Sequence, residues 1–195
     1  MEQPFTEQES IKLINEMIGK VKRSYVEKGI ASIVWGVLIM ICSMLTWARL
    51  QFNFNIGFDI WLLVFFAVIP QIYFSAKERK QKKFVAHDDH TITFVWTAFG
   101  ICIFIATFYG SKYGNGEMST IFMMLYGIPT FITGGIFKFK PMIVGGLICW
   151  VLSIISLYTS AANDMLLMAA CGLFAWLLPG IILWAKYQKQ KMAHV

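Results

Sequence analysis

The sequence predicts an all-α protein, a polytopic six-helix transmembrane bundle preceded by an amphipathic cytoplasmic helix. Three observations carry that prediction. Hydrophobic residues make up 57% of the 195 and charged residues only 14%, roughly half the charge of a soluble domain. The apolar residues fall into long runs, and six of these contain no Asp, Glu, Lys, Arg or His: Ile30–Ala48, Ile60–Ala76, Thr91–Ser111, Met118–Phe137, Pro141–Asn163 and Met165–Ala185. Each run is 17 residues or longer, close to what a helix needs to cross a hydrocarbon core of roughly 30 Å. The runs lack the alternation of barrel strands, and a backbone in lipid must satisfy its own hydrogen bonds, so they are read as helices. The third observation is the charge distribution. With the N-terminus inside, Lys and Arg number five in the N-terminal segment, five in Lys77–Lys83, two at Lys138 and Lys140, and three in the tail. That makes fifteen inside, against Arg49 and Lys112 outside. This follows the positive-inside rule and predicts both termini in the cytoplasm.

The elements follow in order. Residues 1–29 are expected to form a cytoplasmic or interfacial helix. Thr6 and Glu9 have capping-box spacing, and Ile11, Ile14, Ile18, Val21 and Tyr25 share one face, mostly opposite Lys12, Glu16, Lys20 and Arg23. Such a basic amphipathic helix suits the cytoplasmic leaflet, or docks a soluble partner or a second copy of the chain. The membrane domain is expected over 30–185, with spans near 30–48, 60–76, 91–110, 119–137, 141–160 and 165–185, and a basic tail over 186–195. The first span reads as an uncleaved signal anchor. The net charge of +6 is accounted for by contact with an anionic leaflet, and no nucleic-acid partner is expected.

The even spans each carry a proline (Pro70, Pro129, Pro179) and the odd ones a tryptophan (Trp35, Trp96, Trp150). This suggests three helical hairpins repeating in parallel topology. Spans four and five are joined by almost nothing, in the stretch GGIFKFKPMIVGG from Gly134 to Gly146. Pro141 suits a first helical turn, and Lys138 and Lys140 are expected to snorkel to lipid headgroups. Gly134, Gly135, Gly145 and Gly146 are expected to serve close helix packing. So is a stripe continuing through Cys149, Ser153, Ser156 and Ser160, and another of Ala98, Cys102, Ala106 and Gly110 in the third span. Cys42, Cys102, Cys149 and Cys171 all lie inside spans, where they read as small packing residues.

Missing chemistry bounds the function. The predicted spans hold no ionisable Asp, Glu, His, Lys or Arg, which argues against a buried proton carrier, haem ligation or an activated nucleophile. The connections are too short for a folded catalytic domain. No enzyme activity and no cofactor are expected. What remains is neutral: Tyr126, Pro129, Thr130 and Thr133 beside Gln71 are the candidate lining of a small cavity. Alternatively, Thr130 and Thr133 re-satisfy carbonyls that Pro129 frees. His87, Asp88, Asp89 and His90 form the one cluster of metal-ligand types. Four adjacent residues cannot all face one ion, so no metal is expected, although His87 and His90 are three apart on a helix. The acidic pair suits a helix N-terminus.

Taken together, ESIKLINEMI, GGIFKFKPMIVGGLICW and LPGIILW resemble a group of small uncharacterised bacterial inner-membrane proteins. The resemblance covers nearly the whole chain. It implies a six-span topology with an amphipathic N-terminal helix in the inner membrane, and it implies no site residues. The expected function is a non-enzymatic scaffold, sensor or regulatory partner of another protein or of a second copy. The alternative is a transporter or channel for a small neutral or lipophilic solute.

Overall fold

The computed structural model describes residues 7–54, 57–68, 71–72, 87–114 and 118–192, with side chains over 29–54, 57–68, 71–72, 91–114, 118–186 and 188. Thr6, Pro70, the Lys77–Lys83 loop and the side chains of His87–His90 therefore lie outside the described residues. Every regular element among those described is helical. Helix α1 is Glu7–Phe52. A 3-10 turn at Ile60–Leu62 leads into α2, residues 63–68. Then come α3 (His87–Tyr113), α4 (Met118–Ile136), α5 (Lys140–Ser156), α6 (Ala161–Gly172) and α7 (Leu178–Met192). A π-helical segment, Leu173–Leu177, joins α6 to α7 without a break.

Four stretches are long and apolar enough to cross a membrane: Gly29–Phe52, Thr91–Tyr113, Met118–Ile136 and Ala161–Lys186. Helix α5 is apolar but 17 residues long, about 25 Å. Outward-facing side chains are large and apolar, among them Phe65, Phe66, Phe94, Phe104 and Phe108. Water would tolerate no such continuous surface, whereas lipid matches it. Tyr109, Tyr113 and Tyr158 sit exposed at helix ends on one side, where amphipathic rings suit a headgroup layer.

Two boundaries differ from the sequence expectation. Helix α1 runs on continuously for 46 residues, so residue 29 is no helix end. A lone Gly29 costs a helix only about 1 kcal/mol and does not break it. The turn between α5 and α6 lies at residues 157–160 rather than 161–164. Ser160 stands at the N-cap with extended backbone, and residues 161–164 are already helical.

The turn between α4 and α5 closes through backbone groups. Lys138 takes a positive φ of 51°. Its N–H bonds the Gly135 carbonyl at 3.1 Å, and the Phe139 N–H bonds that of Gly134 at 2.8 Å. This is the Schellman pattern, with lysine where glycine is usual. Pro141 follows in the first turn of α5, where it needs no N–H.

Packing depends on glycine. Helix α1 runs antiparallel to the α6–α7 helix, and α4 antiparallel to α5. A Cβ at Gly36 would stand 2.6 Å from the Leu177 nitrogen, and one at Gly180 would stand 2.9 Å from the Gly29 oxygen. Between α4 and α5, a Cβ at Gly146 would meet the Gly127 oxygen at 2.9 Å, and one at Gly134 the Ile143 nitrogen at 2.7 Å. One at Gly145 would overlap the Phe174 oxygen. Lipid supplies no hydrophobic drive between helices, so close backbone approach is what holds them.

Candidate functional site

The buried face of α4 carries Met123, Tyr126, Gly127, Pro129, Thr130, Thr133 and Gly134. Their three- and four-residue spacing puts them on one side of the helix. Four of the five candidate cavity residues, Tyr126, Pro129, Thr130 and Thr133, are thus brought together in the interior. Tryptophans meet them there. Trp176 Nε1 donates to Thr130 Oγ1 at 3.1 Å, and Trp96 Nε1 donates to Thr133 Oγ1 at 3.2 Å. The Thr130 hydroxyl in turn donates to the Tyr126 carbonyl at 2.8 Å. Pro129 frees the carbonyl four residues back, that of Leu125, so the Thr130 hydroxyl bonds one residue past the carbonyl it was expected to rescue.

Four rings close around this point. Centroid separations are 5.6 Å for Trp96–Phe99, 5.9 Å for Phe99–Tyr126, 4.9 Å for Tyr126–Trp176 and 6.2 Å for Trp176–Trp96. These are contact distances for aromatic pairs. The thiols of Cys149 and Cys171 belong to the same buried cluster as Tyr126, together with Met123, Met168 and Ile39, and that of Cys42 is also buried. Gln71 is exposed, and its side-chain carbonyl accepts from Trp35 Nε1 at 3.2 Å. The cluster offers matched donors and acceptors in a buried, aromatic setting.

The π segment belongs to the same region. It presents Trp176 inward, and its carbonyls are short of intrahelical donors because Pro179 has no N–H to return. Ser32 of α1 donates to the Trp176 carbonyl at 2.9 Å, one residue past the carbonyl four back from Pro179. Ser43 Oγ is the one buried side-chain polar atom among the described residues without a partner.

A second polar cluster lies at the opposite end of α5 from Lys140. Thr120 Oγ1 and Ser156 Oγ are 2.7 Å apart, and the Thr159 hydroxyl donates to the Asp164 carboxylate. Asp164 is only 3% exposed and lies inside the membrane-length stretch Ala161–Lys186. This corrects the expectation that no carboxylate sits within a span. Reading it as a loop residue followed from the gap between two apolar runs, and the earlier turn at 157–160 draws it into the helix.

Of the packing candidates, Gly134, Gly145, Gly146 and Ala106 are buried, and Gly135 faces open space. Cys149, Ser153 and Ser156 are buried, whereas Ser160 is exposed at its N-cap. Ala98 and Cys102 are exposed, which departs from the expected third-span stripe. Helix α3 runs alongside α4 and turns Trp96, Phe99 and Ile103 towards the core, while Ala106 and Gly110 of that stripe are buried. Lys138 and Lys140 are exposed at the end of their hairpin. No group of three metal-ligand side chains occurs among the described residues, and His87–His90 is helical in backbone. Reading along the chain missed Trp96 and Trp176 as partners of the threonines, and Gly29, Gly36, Gly127, Gly172 and Gly180 as contacts. The seven-residue spacing of Gly29 and Gly36, and of Gly127 and Gly134, was the available signal.

The chain matches no protein-family model, no curated protein and no solved structure.

Proposed function

We propose that this chain is a six-span protein of a bacterial inner membrane, with both termini cytoplasmic, acting as a non-enzymatic scaffold or regulatory partner. The observation that carries the reading is the interior. Residues that could line a cavity are instead saturated, Thr130 by Trp176 and Thr133 by Trp96, inside helix contacts too close for a methyl group. A core of that kind favours presenting a fixed cytoplasmic face over passing a solute. That face would comprise residues 1–28, the Lys77–Lys83 loop and the tail, lying against an anionic leaflet. Native mass spectrometry of gently extracted protein tests this. The expected result is a stoichiometric protein partner, lost when residues 1–28 are deleted. Unchanged recovery after the deletion contradicts the proposal.

A threefold hairpin repeat has partial support. Trp35 donates to Gln71 and Trp96 to Thr133, so two odd-span tryptophans bond polar residues on the following span. Trp150 departs from that pattern by donating back to the Met124 carbonyl.

The second reading, transport of a small neutral or lipophilic solute, is favoured by buried Asp164 and by a π segment interrupting the α6–α7 helix, since both features recur at functional sites. Flux through reconstituted vesicles that falls on replacing Pro70, Pro129 and Pro179 with alanine, or Asp164 with asparagine, would establish it over the first.

A further inference from the structure

We infer that the groove between α5 and the π segment with α7 binds one acyl chain of an anionic phospholipid, whose headgroup is held by Lys140 and Lys186. The groove encloses about 370 Å³ and is lined by Pro141, Val144, Gly145 and Ile148 on one side and Phe174, Leu178, Pro179 and Ile182 on the other. Its shape follows from the sequence. Gly145 brings the α5 backbone against the Phe174 carbonyl and forms the floor, while two proline rings keep the walls low. The lining spans eight residues of α5, about 12 Å, a length suited to part of an extended hydrocarbon chain.

The headgroup end is marked by charge. Residues 148, 144 and 140 make a stripe at four-residue spacing on α5, and 174, 178, 182 and 186 make one on α7. Both stripes end in a lysine: Lys140 lines the groove itself, and Lys186 follows one turn past Ile182 at the same end of the bundle. Both lysines are exposed, and neither forms an ion pair among the described residues. An apolar slot with two exposed lysines at one end matches a phospholipid of net negative charge better than a zwitterionic one. Each lysine near an anionic surface is worth about fivefold in binding. The inference needs only that the chain spans a bilayer and is independent of the regulatory reading above.

The test uses the full chain, delipidated in detergent and titrated with dioleoyl phosphatidylglycerol or dioleoyl phosphatidylethanolamine under native mass spectrometry. The wild type should retain one phosphatidylglycerol, about 25-fold preferred over phosphatidylethanolamine. The double variant Lys140→Gln with Lys186→Gln should lose that preference, and Lys112→Gln, at the other end, should keep it. Val144→Trp should fill the slot and abolish retention of either lipid. Val144 lines the groove and is 53% exposed, so the larger side chain occupies the slot without displacing core residues. Retention unchanged in Val144→Trp, or a preference unchanged in the double glutamine variant, overturns the site. So does displacement of lipid by a second copy of the chain at the same face.

Discussion

Helices α4 and α3 use small residues in opposite ways. On α4, Gly127 and Gly134 stand where a methyl group would strike Trp150 or the α5 backbone. On α3, Gly100 meets nothing within 4 Å, and Ala98 and Cys102 face outward. Both helices are comparably apolar and both carry small residues at helical spacing. The difference is one of neighbours. Helix α4 is pressed between α3 and α5, whereas α3 lies at the periphery of the described bundle and reaches the core through Trp96 and Phe99. Small-residue spacing thus marks surfaces that permit close approach, and only the arrangement of the other helices decides which are used.

The comparison can be broken first at its aromatic join. Trp176→Ala removes a buried ring that contacts both Trp96 and Tyr126. It should cost about 3–5 kcal/mol, read as a large fall in thermal midpoint in detergent, and loosen α3 from the core. A loss below about 1 kcal/mol would mean that the ring cluster does not hold α3. Next, Gly36→Ala sets a methyl 2.6 Å from the Leu177 nitrogen and should destabilise by about 1–3 kcal/mol. Gly100→Ala on α3 should instead leave stability unchanged or raise it by up to about 1 kcal/mol through helix propensity. Equal effects from the two glycines would erase the distinction between packed and peripheral helices. The smallest effect is expected at Ser43. Its hydroxyl is buried without a partner, so Ser43→Ala should stabilise by about 1 kcal/mol. Destabilisation there would point to a bond the hydroxyl makes in solution.

Much of the fold was legible because lipid imposes it. Charge-free runs of near-membrane length force helices, and the α4–α5 turn followed from two lysines and Pro141 with no room for anything longer. The burial of Tyr126, Thr130 and Thr133 on one face follows from spacing alone. Their partners do not, because Trp96 lies 37 residues before Thr133 and Trp176 lies 46 after Thr130, and no local pattern links them. Asp164 was misread for a related reason. A carboxylate between two apolar runs looks like a loop, and only the Ser160 N-cap and the Thr159 hydroxyl explain how it enters a helix. Gln71 follows the prolines in pattern but bonds Trp35 on α1, a pairing set by helix neighbours rather than by position along the chain.

The interior holds closely packed helices and paired hydroxyls, and the protein carries its own probes of whether water reaches it. Cys42, Cys149 and Cys171 are buried, the last two in the same cluster as Tyr126. Folded protein in membranes, exposed to a small charged thiol reagent and mapped by peptide mass spectrometry, should show all three unmodified until the bundle is unfolded. Modification of any of them in the folded state would reveal a water-filled path to the core and contradict the account.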